Sequence, residues 1–165
     1  MKKLKVLVSA ALLLGWASLI FFASSQPYTD QDLRPMLGDF NLAWVERFFG
    51  WVSFTYSSSV ISVETRGAAG FVEFFIRKGT HVVVFFVLGF LVMVLLGFTR
   101  MRLRTSAVLA FICVALFAAI DEYRHLIHPG RTGLIEDVIL DCIGGAMGIA
   151  VVVFWQRHRQ RKEGA

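Results

Sequence analysis

Four apolar runs, each ended by charge, constrain this chain more than any other feature. They cover about residues 6–23, 79–98, 105–120 and 138–155. Each is close to the roughly 20 residues that a helix needs to cross a hydrocarbon core. A backbone in lipid must satisfy its own hydrogen bonds, so runs of this length become helices. Composition agrees, since 56% of the 165 residues are hydrophobic and sixteen are Phe, far more than a soluble domain of this size carries. The expected fold is all-α: an integral membrane four-helix bundle, forming a single domain over residues 1–165.

The basic residues orient the bundle. Lys2, Lys3 and Lys5 precede the first run, and Arg100, Arg102 and Arg104 separate the second from the third. Arg157, Arg159, Arg161 and Lys162 follow the fourth. With four spans all of these fall on one side, which the positive-inside rule makes cytoplasmic, together with the N and C termini. The net charge of +5 then reports topology, and no nucleic-acid partner is expected because no binding module frames the basic residues. The first run, ending Ala23-Ser24-Ser25, also has the outline of a signal peptide. It is longer than a usual signal core, so a retained span is the expectation.

Residues 24–76 form a long outer loop. Pro27 and Pro35 interrupt helix in SSQPYTDQDLRP. In FNLAWVERFFGWVSF, Leu42, Val45, Phe48, Phe49 and Val52 recur at helical spacing with Trp44 and Trp51 beside them. That pattern predicts an amphipathic helix, either lying in the headgroup layer or packed on the outer ends of the spans. TYSSSVISVETRGAAG reads as a loop with room for a short strand. Cys113 and Cys142 lie inside apolar runs and read as buried free thiols.

The polar residues of the spans gather at the outer side. At about 100° per residue, Asp121 and His125 share one helix face, with Glu122 adjacent. Arg77, Lys78 and His81 make a basic counterpart on the second span. On the fourth, Asp137, Asp141, Gly144 and Gly148 fall within about one quadrant. Charge at this depth is costly unless paired, hydrated or used. Gly144 and Gly148 form GxxxG, which lets helices approach closely, within the chain or in a homo-oligomer. PGRTG resembles a turn that would present Arg131, a residue suited to gripping phosphate or carboxylate through two parallel bonds. Glu122-x-x-His125 has di-metal spacing but occurs once, and no HExxH is present, so no metal is expected. There is no GxSxG and no phosphate-cradling loop, and no cofactor is expected.

These residues carry a resemblance. SSQ (Ser24, Ser25, Gln26), RKGTH (Lys78, His81) and DEYRHLIHPGRTGLIEDVILDCIGGAMG together resemble the VanZ-like membrane protein family. The family pattern in the last block is an Asp-Glu pair, usually a Gln three residues after the Glu, then Pro-Gly-Arg and Asp-x-x-x-Asp/Asn followed by glycines. Asp121, Glu122, Pro129, Gly130, Arg131, Asp137, Asp141, Gly144 and Gly148 match it. His125 departs from it by standing where Gln is usual. The resemblance implies a multi-pass protein of the bacterial cytoplasmic (inner) membrane, with Gln26 among the pocket residues. It also implies an association with teicoplanin resistance, since the family is named for a member with that association.

Two functions follow as expectations. The first is an envelope protein whose outer pocket binds an anionic membrane lipid or lipid-linked cell-wall intermediate. Arg131, Arg77, Lys78 and His81 would meet the anion, and Asp121, Glu122 and Asp137 would hold those cations. The second is a membrane enzyme acting on a lipid-phosphate or lipid-linked sugar. There Glu122 or Asp121 would be the general base, His125 or His81 a proton carrier and Arg131 the charge stabiliser. The sequence leaves open whether a reaction is catalysed.

Overall fold

A computed structural model of the protein describes residues 2–127 and 133–163. The chain runs α1 (Lys2–Ser25), a 3-10 turn (Tyr28–Gln31), α2 (Arg34–Gly38), α3 (Ala43–Phe49), β1 (Ser53–Tyr56), β2 (Ser59–Ser62), α4 (Val63–Leu96), α5 (Leu103–Ile127) and α6 (Ile135–Glu163). Helices α1, α4, α5 and α6 are long and apolar enough to cross a membrane. The expected all-α four-helix architecture is therefore present, with additions in the segment between the first two spans.

Those additions correct the reading of residues 24–76. Helix α4 begins at Val63, sixteen residues before the apolar run at Gly79, because Ser62 caps it by accepting the Thr65 amide at 3.1 Å. Gly67 then takes φ 68, a left-handed value that kinks the helix and that glycine adopts without a Cβ penalty. The preceding stretch is a two-stranded antiparallel hairpin pairing Ser53 with Ser62 and Tyr56 with Ser59. The expected amphipathic helix is confined to Ala43–Phe49. Gly50 ends it, and Val52 leads directly into β1.

The outer segments pack on the extension of α4. Val45 of α3, Ile61 of β2, and Val63 and Phe71 of α4 form a small buried cluster. Outside it, Trp44, Phe48 and Trp51 remain exposed, Trp51 by 83%.

The main core lies in the bundle, where Phe85, Leu88 and Met93 of α4 meet Ala110, Val114 and Ala118 of α5 and Ile149 and Val152 of α6. Helices α4 and α6 touch backbone to backbone. A Cβ on Gly144 would strike the Val82 carbonyl, one on Gly148 the Phe86 carbonyl, and one on Gly89 the Gly145 carbonyl. Lipid supplies no hydrophobic drive between helices, so this close packing provides the attraction instead. The GxxxG face is thus filled by α4 of the same chain, where the sequence had also admitted a second copy. Cys113 lies exposed on the bundle surface rather than buried, and Cys142 is half-buried.

Four alternating helices bring the N-terminus of α1, the α4–α5 connection and the C-terminus of α6 to one end. Arg104, Arg157 and Arg161 surround a common cleft there. Gly97 caps α4 at this end, its N–H donating to the Met93 carbonyl at 3.0 Å. The polar cluster and the hairpin share the opposite end.

Candidate functional site

The site is built where the last turns of α5 meet the first turns of α6 and the middle of α4. Helix α5 continues through Ile127, so Asp121, Glu122 and His125 lie on continuous helix rather than in a loop. All three are buried, as are Asp137 and Asp141 on α6, with Asp141 at 0% exposure. Buried carboxylates survive only when donors meet them, and here the donors come from other elements and, on α5, also from the next turn of the same helix.

Asp137 is the most heavily used acid. Its Oδ1 accepts from Lys78 Nζ and from the Tyr56 hydroxyl, both at 2.5 Å. Lys78 Nζ also sits 4.6 Å from the centre of the Tyr56 ring, so that tyrosine contributes an aromatic face as well as a donor. Burial and the acceptance of its proton by Asp137 push the Tyr56 hydroxyl well above the usual phenol range. This triad ties α6 to α4 and to the hairpin.

Two histidine–carboxylate pairs stand beside it. His81 Nδ1 bonds Asp141 Oδ1 at 3.0 Å across α4 and α6, and His125 Nδ1 bonds Glu122 Oε2 at 3.2 Å within α5. The Leu134 amide also donates to Glu122 Oε2, at 3.2 Å. The two imidazoles face one another with ring centroids 6.4 Å apart. Among the described residues, Glu122 Oε1 and Asp141 Oδ2 are buried with no hydrogen-bond partner. Such an acceptor costs about 1–3 kcal/mol, a cost native folds tend to retain at functional places.

Asp121 is held differently. Its Oδ2 accepts from Ser24 Oγ of α1 at 2.9 Å, and its Oδ1 lies 3.8 Å from Arg124. Arg124 reaches back to Ser25 Oγ at 2.5 Å and stacks on Phe21, 3.5 Å from the ring centre. This joins α5 to α1 and explains locally why two serines end the first span.

Two cavities meet at the cluster. One, of about 370 Å³, lies between α1 and α4 and is walled mainly by Leu19, Ile20, Ile76, Val84 and Phe85, with Asp121 at its polar end. The other, of about 360 Å³, opens under the hairpin and is lined by Tyr56, the serines Ser57 to Ser59, Arg66, Lys78 and Asp137. Gln31, Glu73, Arg77, His81 and His125 line both. An apolar chamber and a polar chamber therefore share a wall of titratable side chains.

The expected site residues distribute unevenly over this geometry. Lys78, Arg77, His81, His125, Asp121 and Asp137 line one cavity or both, whereas Glu122, Asp141 and Gln26 line neither. Glu122 and Asp141 sit behind the histidines they hold. Asp137 pairs with Lys78, Asp121 with Arg124 and Glu122 with His125. Arg131, with Pro129 and Gly130, lies outside the described residues. Among those described, no three His, Cys, Asp or Glu side chains gather to hold a metal.

Sequence reasoning missed Glu73 and Tyr56. Glu73 is buried, lies 4.0 Å from Arg77 and 3.7 Å from Arg34, and accepts the Leu33 amide. It had a signal, because Glu73, Arg77 and His81 recur every four residues along one face of α4. Tyr56 had none, since its partner is 81 residues away.

A family model described as VanZ/LLP1 matches residues 9–156, from within α1 to within α6, and so includes the whole cluster. No curated protein and no solved structure matches the chain. The fold, the paired acids of α5 and α6 and this match agree: the chain belongs to the VanZ/LLP1 family and is a VanZ-like membrane protein.

Proposed function

We infer that this protein binds an anionic amphiphile, a lipid or lipid-linked cell-wall intermediate, at the outer leaflet of the bacterial cytoplasmic membrane. The orientation follows from the ten Lys and Arg residues at the two termini and the α4–α5 connection, which the positive-inside rule assigns to the cytoplasm. The paired cavities then open at the outer side.

The observation that carries the reading is the shared wall between an apolar and a polar chamber. A hydrocarbon tail fits between α1 and α4, where the walls are aliphatic and aromatic. The headgroup then lies under the hairpin, where Arg66, Arg77 and Lys78 supply positive charge. An association with teicoplanin resistance belongs to the same reading, because a protein that holds a cell-wall intermediate at this leaflet acts where that antibiotic works.

The test is native mass spectrometry of protein purified in mild detergent, with wild type beside Arg77→Ala and Ile76→Trp. Wild type should retain anionic lipid in preference to zwitterionic lipid. Arg77→Ala should weaken that preference, and Ile76→Trp, which fills the apolar chamber, should reduce retention of either. Equal retention of both lipid classes by all three proteins sinks the reading.

A further inference from the structure

We propose that the open cleft at the basic end of the bundle, between Arg104 of α5 and Arg157, Gln160 and Arg161 of α6, binds the phosphate headgroup of an anionic lipid of the inner leaflet. This second site lies at the opposite end from the paired cavities. It shares only the orientation of the chain with the amphiphile-binding reading.

Positive-inside sorting asks that basic residues lie on the cytoplasmic side, but it does not ask them to converge. Here they divide. Arg100, Arg102 and Lys162 stand outside the cleft, and Arg159 lies over the Trp155 ring, 4.9 Å from its centre. Arg104, Arg157 and Arg161 instead line one space of about 510 Å³, although they come from two helices. Among the described residues, no carboxylate pairs with any of the three. All three are exposed, and their long stems leave them free to turn apart. Guanidinium groups repel one another, so their convergence without an acid fits a shared anion better than solvation.

Helix dipoles sharpen the argument. Arg157 and Arg161 stand near the C-terminus of α6, where a cation is favoured. That explanation fails for Arg104. It is the second residue of α5, at the positive end of that helix, and the first turn there carries no acid. A cation in this place opposes the dipole. A bound anion reverses the sign, since it meets Arg104 and the N-terminal end of α5 together.

The depth fits a headgroup. Phe154 and Trp155 are exposed on the bundle surface, and Trp favours the membrane–water boundary. At 1.5 Å per residue, Arg157 lies about 3 Å and Arg161 about 9 Å beyond Trp155. The headgroup region is about 5–8 Å deep on each side of the hydrocarbon, so the two arginines bracket it. Helix α4 ends at the same level, because a Cβ on Gly97 would fall 2.7 Å from the Gln156 side chain.

An arginine grips two phosphate oxygens through parallel N–H donors, and the Gln160 amide adds a neutral donor between them. Charge then selects the lipid. A zwitterionic headgroup brings its own ammonium among three cations, phosphatidylglycerol brings none, and diphosphatidylglycerol brings two phosphates. Affinity should rise in that order.

The experiment titrates the full chain in mild detergent with each of these lipids, taking phosphatidylcholine as the zwitterion, and counts bound lipid by native mass spectrometry. Arg104→Gln with Arg157→Gln removes two charges from the cleft. Arg100→Gln with Arg159→Gln removes two from the same end outside it. The cleft pair should weaken diphosphatidylglycerol binding by about 10-fold or more, and the control pair by far less. Equal losses overturn the site in favour of diffuse attraction to the basic end. Should the cleft pair fail to fold, Arg104→Gln against Arg100→Gln decides in the same way. Arg77→Ala, at the other end, separates the two readings. If it abolishes all anionic-lipid binding, the cleft holds none and the proposal falls while the outer site stands. If it changes nothing while the cleft pair loses binding, the cleft stands and the outer reading fails. Titration of inorganic phosphate into the chain in phosphatidylcholine nanodiscs tests the soluble source. Phosphate binding that the cleft pair abolishes, with diphosphatidylglycerol binding untouched, overturns the lipid as occupant.

Discussion

Lys78 and His81 of α4 pair across to α6, whereas the ion pairs of α5 close within a single turn. Lys78–Asp137 and His81–Asp141 span 59 and 60 residues of sequence, while Arg124–Asp121 and His125–Glu122 are each three residues apart. A pair within one turn can form in an isolated helix and contributes little to the choice of neighbour. A buried pair between helices forms only in the correct register, and breaking it strands a charge where solvation is poor. The difference assigns separate tasks. The α4–α6 contact sets the geometry of the bundle, and the α5 face holds side chains in place for the cavities.

The sharpest way to break that comparison is at Asp137. Asp137→Ala strands Lys78 and removes the acceptor of Tyr56, and should cost about 3–5 kcal/mol of stability, the range for one partner removed from a buried pair. Unfolding in detergent measures it, and the double change Lys78→Met with Asp137→Leu should recover a large part. Recovery by the double variant would show that registration needs fit rather than charge.

Next comes the glycine face. Gly148→Ala drives a Cβ into the Phe86 carbonyl, whereas Gly145→Ala meets the side chain of Val114. Backbone cannot step aside as a side chain can, so Gly148→Ala should cost up to about 3 kcal/mol and Gly145→Ala less. The same melts read both. Equal costs would mean that α5 packs as rigidly on α6 as α4 does.

A smaller effect is expected at Tyr56. Tyr56→Phe keeps the ring over Lys78 and removes one hydrogen bond to a carboxylate, worth about 1.5 kcal/mol at neutral pH. The folded state holds the Tyr56 proton more tightly than the ordinary phenol value near 10. The stability it lends is therefore complete below pH 10 and is lost as pH rises beyond that. Tyr56→Phe should flatten this alkaline limb of the stability curve.

The smallest effect belongs to the outer segment away from both helix pairs. Arg34 holds the half-buried Asp32 carboxyl at about 2, below its ordinary 3.8, through side-chain and backbone hydrogen bonds. Its contribution is present above pH 3.8 and fades as pH falls toward 2. Asp32→Asn should remove that acid limb and lower stability at neutral pH by the same small amount, since a pair with the exposed Arg34 contributes little.

Much of the fold and part of the site are legible in the residues alone. Four spans, their common basic end and the gathering of Asp121, Glu122, His125, Asp137 and Asp141 at the other end all follow from hydropathy and helical period. Glu73 is legible in principle, through its four-residue spacing to Arg77, but it precedes the apolar run at Gly79 that marks the span. The hairpin and the early start of α4 are hidden for a physical reason. The segment from Ser53 to Gly70 has no long apolar run, and its strand and helix depend on Val45, Ile61, Val63 and Phe71 covering one another.

The sequence by itself determined the membrane class, the number of spans and which residue types meet at one end. Hydrocarbon excludes unpaired backbone and basic side chains sort by leaflet, and both effects are local to each segment. Only the tertiary structure decided which acid holds which base, that Glu122 and Asp141 stand behind histidines, and that two unlike cavities share one wall. Those outcomes depend on helix rotation and register, which glycine-to-backbone contact between α4 and α6 selects at distances that no local pattern encodes.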